Sequence, residues 1–148
     1  MKTYVITLSK TFPAYHPRKG EDTFFLSAVL CGTKKHTIRA NYDWWKKRLD
    51  EVNVGRAVLS LRQWTGKPYN SKQKEFAELT SLAYQEFEFK YLSGQGCVTP
   101  LVDGKIIDPD DFIDLCENDG LVNSDFLSWF KYPKPFKGIM IHFTDLRY

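Results

Sequence analysis

Polar and apolar positions alternate along Tyr84-Gln85-Glu86-Phe87-Glu88-Phe89-Lys90-Tyr91, and a two-residue period of this kind predicts a strand. Residues 3–9 and 57–64 carry the same alternation, and further strands are expected at 37–40, 74–82, 98–102, 105–107 and 136–144. A different spacing puts Trp45, Leu49 and Val52 on one face of a helix over 44–52, with Asp43 as its N-cap and Gly55 past its end. Asp22 or Thr23 is expected to cap another helix reaching Cys31, where Gly32 supplies the residue that helix C-termini favour. Pro109 suits the first turn of a helix opened by Asp108 and running to about Glu117. A short helix follows from Ser124 or Asp125 to Phe130. Turn-forming residues separate these elements: two prolines within 12–20, Thr65-Gly66-Lys67-Pro68-Tyr69-Asn70, the glycines of 93–96, Asp103-Gly104, and Tyr132-Pro133-Lys134-Pro135.

Strands occupy the middle and both ends of this order, with helices inserted between them. That arrangement predicts an α+β fold, a β-barrel of about six or seven strands with peripheral short helices, rather than a βαβ array. The 148 residues fit one domain, 1–148, with no linker or repeat to divide it. Aromatic residues make up 16% of the chain, too many for all to be central, so some are expected to line a groove or rim. A net charge of +3 permits an RNA partner without demanding one. Cys31, Cys97 and Cys116 have no CxxC spacing and read as buried, reduced thiols. His16, His36 and His142 are isolated, so neither a metal nor another cofactor is expected, and His142 reads as a satisfied core or edge histidine. With no apolar run near the ~20 residues of a membrane span and no secretory pattern, the expected location is cytoplasmic.

The segment that changes the picture is Gly32-Thr33-Lys34-Lys35-His36-Thr37-Ile38-Arg39. In an extended chain Lys35, Thr37 and Arg39 share one face. A hydroxyl beside a guanidinium is an anchor for a carbonyl or phosphate oxygen. The spacing Gly-x-Lys-x-x-Thr-x-Arg, after a helix and opening a strand, resembles the signature of the ASCH family of PUA-like domains. Asn53–Leu59, Glu75–Thr80 and the turn and helix across Asn118-Asp119-Gly120-Leu121 and Ser124–Leu127 resemble the family's flanking elements, so the likeness spans roughly 22–144.

The resemblance implies a PUA-like barrel and two classes of function. PUA-like domains commonly bind RNA beside the barrel, so one expectation is an RNA- or nucleoside-binding cleft. Its ligand-binding residues would be Lys34, Lys35, Thr37, Arg39, Trp44, Arg48, Arg62, Trp64 and Tyr69, combining cations with stacking surfaces. Some bacterial ASCH proteins are amidohydrolases that remove the acyl group of acetylcytidine with a Lys, a Thr and a Glu. Those positions correspond here to Lys34, Thr37 and Asp119, one methylene shorter than the family's acid, with Glu117 as an alternative. Thr37 would be the nucleophile, a desolvated Lys34 its base, and Asp119 the group that orients Lys34 or passes a proton. Since Lys34 and Thr37 are three apart, they converge only if the chain turns near Lys35. A third class is a protein-interaction module, which an exposed apolar patch lacking basic residues would favour.

Overall fold

The computed structural model describes residues 1–94 and 96–148; Gln95, in the loop expected over 93–96, lies outside the described residues. Among the described residues eight strands and four helices follow one another as β1 (Lys2–Leu8), α1 (Phe25–Leu30), β2 (His36–Ala40), α2 (Tyr42–Asn53), β3 (Ala57–Trp64), β4 (Gln73–Leu79), β5 (Tyr84–Tyr91), β6 (Val98–Val102), β7 (Lys105–Ile106), α3 (Pro109–Asn118), α4 (Asn123–Trp129) and β8 (Phe136–His142). The fold is α+β as expected. Its strands form two sheets, ordered β1-β3-β4 and β2-β8-β5-β6-β7, with no closed barrel among the described residues.

β1 and β3 are parallel, so the chain between them must cross over, and it does so through α1, β2 and α2. All other ladders are antiparallel. Alternating apolar residues from both sheets meet in one core: Ile6, Leu59 and Leu61 from the small sheet, Phe87, Phe89, Ile139 and Ile141 from the large one, with Leu49, Leu115 and Phe126 from the helices. The aromatic load is largely internal. Phe126 packs against the rings of Phe87, Phe89, Phe112 and Phe130 at centroid separations of 4.7–6.3 Å.

Two helix starts differ from expectation. Asp22 and Thr23 do bond backbone amides, those of Phe24 and Phe25, but α1 begins only after Phe24, which turns the chain through φ 58°. Thr23 Oγ1 also ties the segment back, donating to the backbone oxygens of Ser9 and Lys10. Asp43 is not the N-cap of α2 but lies in its first turn, where an acid suits the helix dipole. Asn41 at φ 65° makes the corner, a conformation that asparagine tolerates better than most side chains. The cysteine expectation also needs correcting: Cys116 is buried, but Cys31, at the end of a one-and-a-half-turn helix, and Cys97, in a loop, are exposed.

Candidate functional site

Two helix ends build the site. α1 ends with Gly32 at φ 82°, Gly32 N–H donating to Val29 O and Thr33 N–H to Ala28 O. α3 ends the same way, with Gly120 at φ 92°, Gly120 N–H donating to Glu117 O and Leu121 N–H to Cys116 O. Both are the paired reverse bonds that let a left-handed glycine close a helix. The two ends are joined where Lys35 N–H donates to Asn118 O at 2.6 Å. Lys34 and Asp119 are thereby brought face to face.

The Lys34 side chain is 2% exposed and runs inward under Gly120. Its Nζ donates to the Asp119 carbonyl oxygen at 2.5 Å, lies 3.6 Å from Asp119 Oδ1, and sits 4.3 Å from the Phe25 ring centroid. That carbonyl is one that α3 leaves without an intrahelical partner, and a cation there also complements the negative end of the helix. Burial is the larger influence and lowers the amine's pKa to about 8, with Asp119 opposing the shift and Arg39 adding to it. Asp119 itself is 5% exposed, whereas Glu117 is exposed, so Asp119 is the carboxylate that meets Lys34.

Thr37 and Arg39 lie together on β2, as the strand period requires. Arg39 NH1 donates to Thr37 Oγ1 at 2.9 Å, and NH2 donates to the backbone oxygen of Thr7 at 3.0 Å. Thr37 is therefore held by Arg39, and Lys34 and Thr37 share no hydrogen bond among the described residues. Burial lowers the Arg39 pKa, though a guanidinium remains charged.

One residue of this cluster was missed by sequence reasoning. His36, read as isolated, is fully buried, with Nδ1 at 2.9 Å from Asp119 Oδ1 and Nε2 at 2.7 Å from the Tyr148 hydroxyl. Its partners lie 83 and 112 positions away, and no local pattern announces them. The other histidines also gain definition. His16 is buried, with both ring nitrogens bonded, one to Asp125 O and one to Arg18 N–H. His142 is only half satisfied: Nε2 meets Gln85 Oε1 at 3.0 Å, while buried Nδ1 has no partner among the described residues. Burial lowers its pKa to about 4.

The other expected ligand-binding residues divide between two surfaces. Trp64 and Tyr69, with ring centroids 5.2 Å apart, line a cleft of about 740 Å³ together with Lys10, Phe12, Pro13 and Lys67. Thr7 lines the same cleft, so the Arg39–Thr7 bond links its wall to the signature segment. Tyr69 is 88% exposed and held at φ 64°, an unusual conformation for an aromatic residue. Trp44 and Arg48 lie elsewhere, on the outer face of α2, with the guanidinium 3.3 Å from the indole centroid. Trp44 lines a separate cleft with Tyr42, Glu86 and Lys137. Arg62 is engaged within the small sheet, donating to Ser60 Oγ on its own strand and to Gln73 Oε1 on β4. Lys35 is half-buried just before β2.

Nothing matches this chain among family models, curated proteins or solved structures. Among the described residues no three His, Cys, Asp or Glu side chains gather to hold a metal, and no helix is long and apolar enough to cross a membrane.

Proposed function

We propose that this chain is an ASCH-type, PUA-like domain that binds an unpaired nucleoside unit, of RNA or free, in the cleft between residues 7–14 and 64–69. The observation that carries the reading is the tilted Trp64–Tyr69 pair on one wall, with Lys10 and Lys67 in the same lining. Stacking on aromatic faces with nearby cations is how single-stranded nucleotides are usually held. Tyr69 supports this further, since a bulky residue held exposed at positive φ is the kind of outlier that clusters at ligand sites.

A fluorescence titration with a short single-stranded RNA, and separately with cytidine, tests the proposal. Trp64→Ala and Tyr69→Ala are each expected to weaken binding by roughly tenfold or more, the scale of one lost stack. Unchanged affinity in both variants, or no binding by the wild type, would sink it.

A second reading has its own observation. A lysine 2% exposed, brought to about 8 by burial and set beside Asp119, has the character of a general base. In the amidohydrolase reading Thr37 Oγ attacks the acyl carbon of an acylated cytidine-type nucleoside while Lys34 takes the hydroxyl proton. The acyl group leaves the exocyclic nitrogen for Thr37, Asp119 helps return a proton to the departing amine, and water then frees the acid. Acetate release from acetylcytidine, abolished by Lys34→Ala, is the outcome that would make this the function.

A further inference from the structure

Asp119 is gripped from two sides, and only one grip belongs to the signature. As the C-cap residue of α3 it stands at the negative end of that helix, which repels a carboxylate. What holds it is Lys34 at 3.6 Å and His36 Nδ1 at 2.9 Å, both on Oδ1. The far side of the imidazole is also engaged. Nε2 lies 2.7 Å from the Tyr148 hydroxyl, and that oxygen accepts a hydrogen bond from Asn118 Nδ2 at 3.1 Å. An ionised carboxylate can only accept, so Nδ1 carries the hydrogen. With the ring neutral, Tyr148 donates to Nε2, and the direction of every bond in the chain Asn118–Tyr148–His36–Asp119 is set by its neighbours.

The surroundings hold this chain in place. β2 pairs His36 with His142, and the two rings meet edge-on at 5.6 Å. Gln85, which bonds His142 Nε2, also accepts from Tyr148 N–H at 3.0 Å and donates to Tyr148 O at 2.9 Å. Tyr148 is thus fixed by its backbone as well as its hydroxyl. The titratable and charged groups around the centre are Lys34, Arg39, Cys116, His142 and Tyr148; burial pushes both the Cys116 thiol and the Tyr148 phenol up.

We propose that His36 is a positioning residue for Asp119: its Nδ1–H, with the far side of the ring engaged by Tyr148, fixes the carboxylate against the Lys34 amine. The assignment rests on the amidohydrolase reading, in which Lys34 and Asp119 act together, but its test needs no substrate. Nitrogen-15 spectra of the imidazole report which nitrogen carries the hydrogen, and the Lys34 Cε resonance reports the amine's titration.

In the wild type Nδ1 is expected to be protonated and Nε2 bare. In His36→Leu the carboxylate loses its neutral donor and turns onto the ammonium. The Lys34 midpoint should then rise by about a unit, a tenfold gain in proton affinity. His36→Asn, whose amide replaces the Nδ1–H, should return the midpoint close to the wild-type value. Tyr148→Phe should leave the hydrogen on Nδ1, since the Asp119 carboxylate still requires a donor there. An unmoved Lys34 midpoint in folded His36→Leu overturns the assignment, as does a wild-type ring protonated at Nε2. Should His36→Leu not fold, a Tyr148→Phe ring that carries its hydrogen on Nε2 overturns it instead. Failure of the wild type to release acetate from acetylcytidine, with these spectra as expected, would count against the amidohydrolase reading and leave the role of His36 standing.

Discussion

Lys34 is the residue on which the energetics of the site turn. An ammonium removed from water loses hydration that is worth several kcal/mol even after relaxation. Here the loss is offset by a carbonyl at 2.5 Å, a carboxylate at 3.6 Å and an aromatic face at 4.3 Å, and the balance still leaves the amine near 8. Between about pH 8 and the unfolded value of 10.5 the unfolded chain is therefore the better proton binder, and Lys34 contributes stability as pH rises across that window. Below pH 8 both states are protonated and the full cost of the buried charge applies, on the order of 3 kcal/mol. Lys34→Met removes the titration but leaves Asp119 with its His36 bond. The stability of this variant relative to wild type should be most favourable at pH 7 and become less so by pH 10.5. Urea unfolding at those pH values reads the difference. A pH-independent offset would mean that Lys34 titrates normally in the folded state.

At the scale of elements, those whose signals are local were legible in the sequence. β3 and β5 match their alternation to the residue, and α3 starts where Asp108 and Pro109 indicate, with Asp108 accepting from Asp111 N–H. Gly32 and Gly120 close helices because each takes a left-handed conformation that favours glycine. The Lys34–Asp119 encounter was foreseen through a resemblance. The His36–Asp119–Tyr148 link was not, because it joins β2, the end of α3 and Tyr148 through tertiary packing alone. The pairing of β2 with β8 is equally invisible locally, and it depends on Gly138. A Cβ built there would lie 2.2 Å from the Arg39 carbonyl oxygen and 2.8 Å from the Phe136 ring. Gly138→Ala must therefore push β2 away, at a cost of at least about 1–3 kcal/mol of the kind seen on overpacking a core. The melting temperature should fall by several degrees, and amide exchange should quicken in β2, where Thr37 and Arg39 reside. Unchanged exchange in β2 would show that the strand pair can absorb the methyl group.

Across the whole molecule the positive charge is dispersed, which bears on how an anionic ligand would be held. Of the 21 lysines and arginines set against 18 acids, several are already committed. Arg18 pairs with Asp125, Lys46 with Asp50 and Lys2 with Glu51, while Arg39 is turned inward to Thr37 and Thr7. Trp44 and Arg48 stack on each other on another face, so they do not extend the Trp64–Tyr69 wall. What the cleft itself offers is two lysines, Lys10 and Lys67, beside its aromatic rings. Such a site should grip bases more than backbone. Each phosphate neutralised on a single strand contributes a slope of about −0.7 to the logarithm of affinity against the logarithm of salt. Two lysines therefore predict a shallow total near −1.4 for a short RNA, with Lys67→Ala reducing its magnitude by about 0.7. Cytidine, which has no phosphate, should bind with almost no salt dependence. Titrations between 50 and 200 mM salt separate the possibilities. A slope several times steeper, unaffected by Lys10→Ala and Lys67→Ala, would mean that RNA tracks another surface and that the aromatic cleft is not its seat.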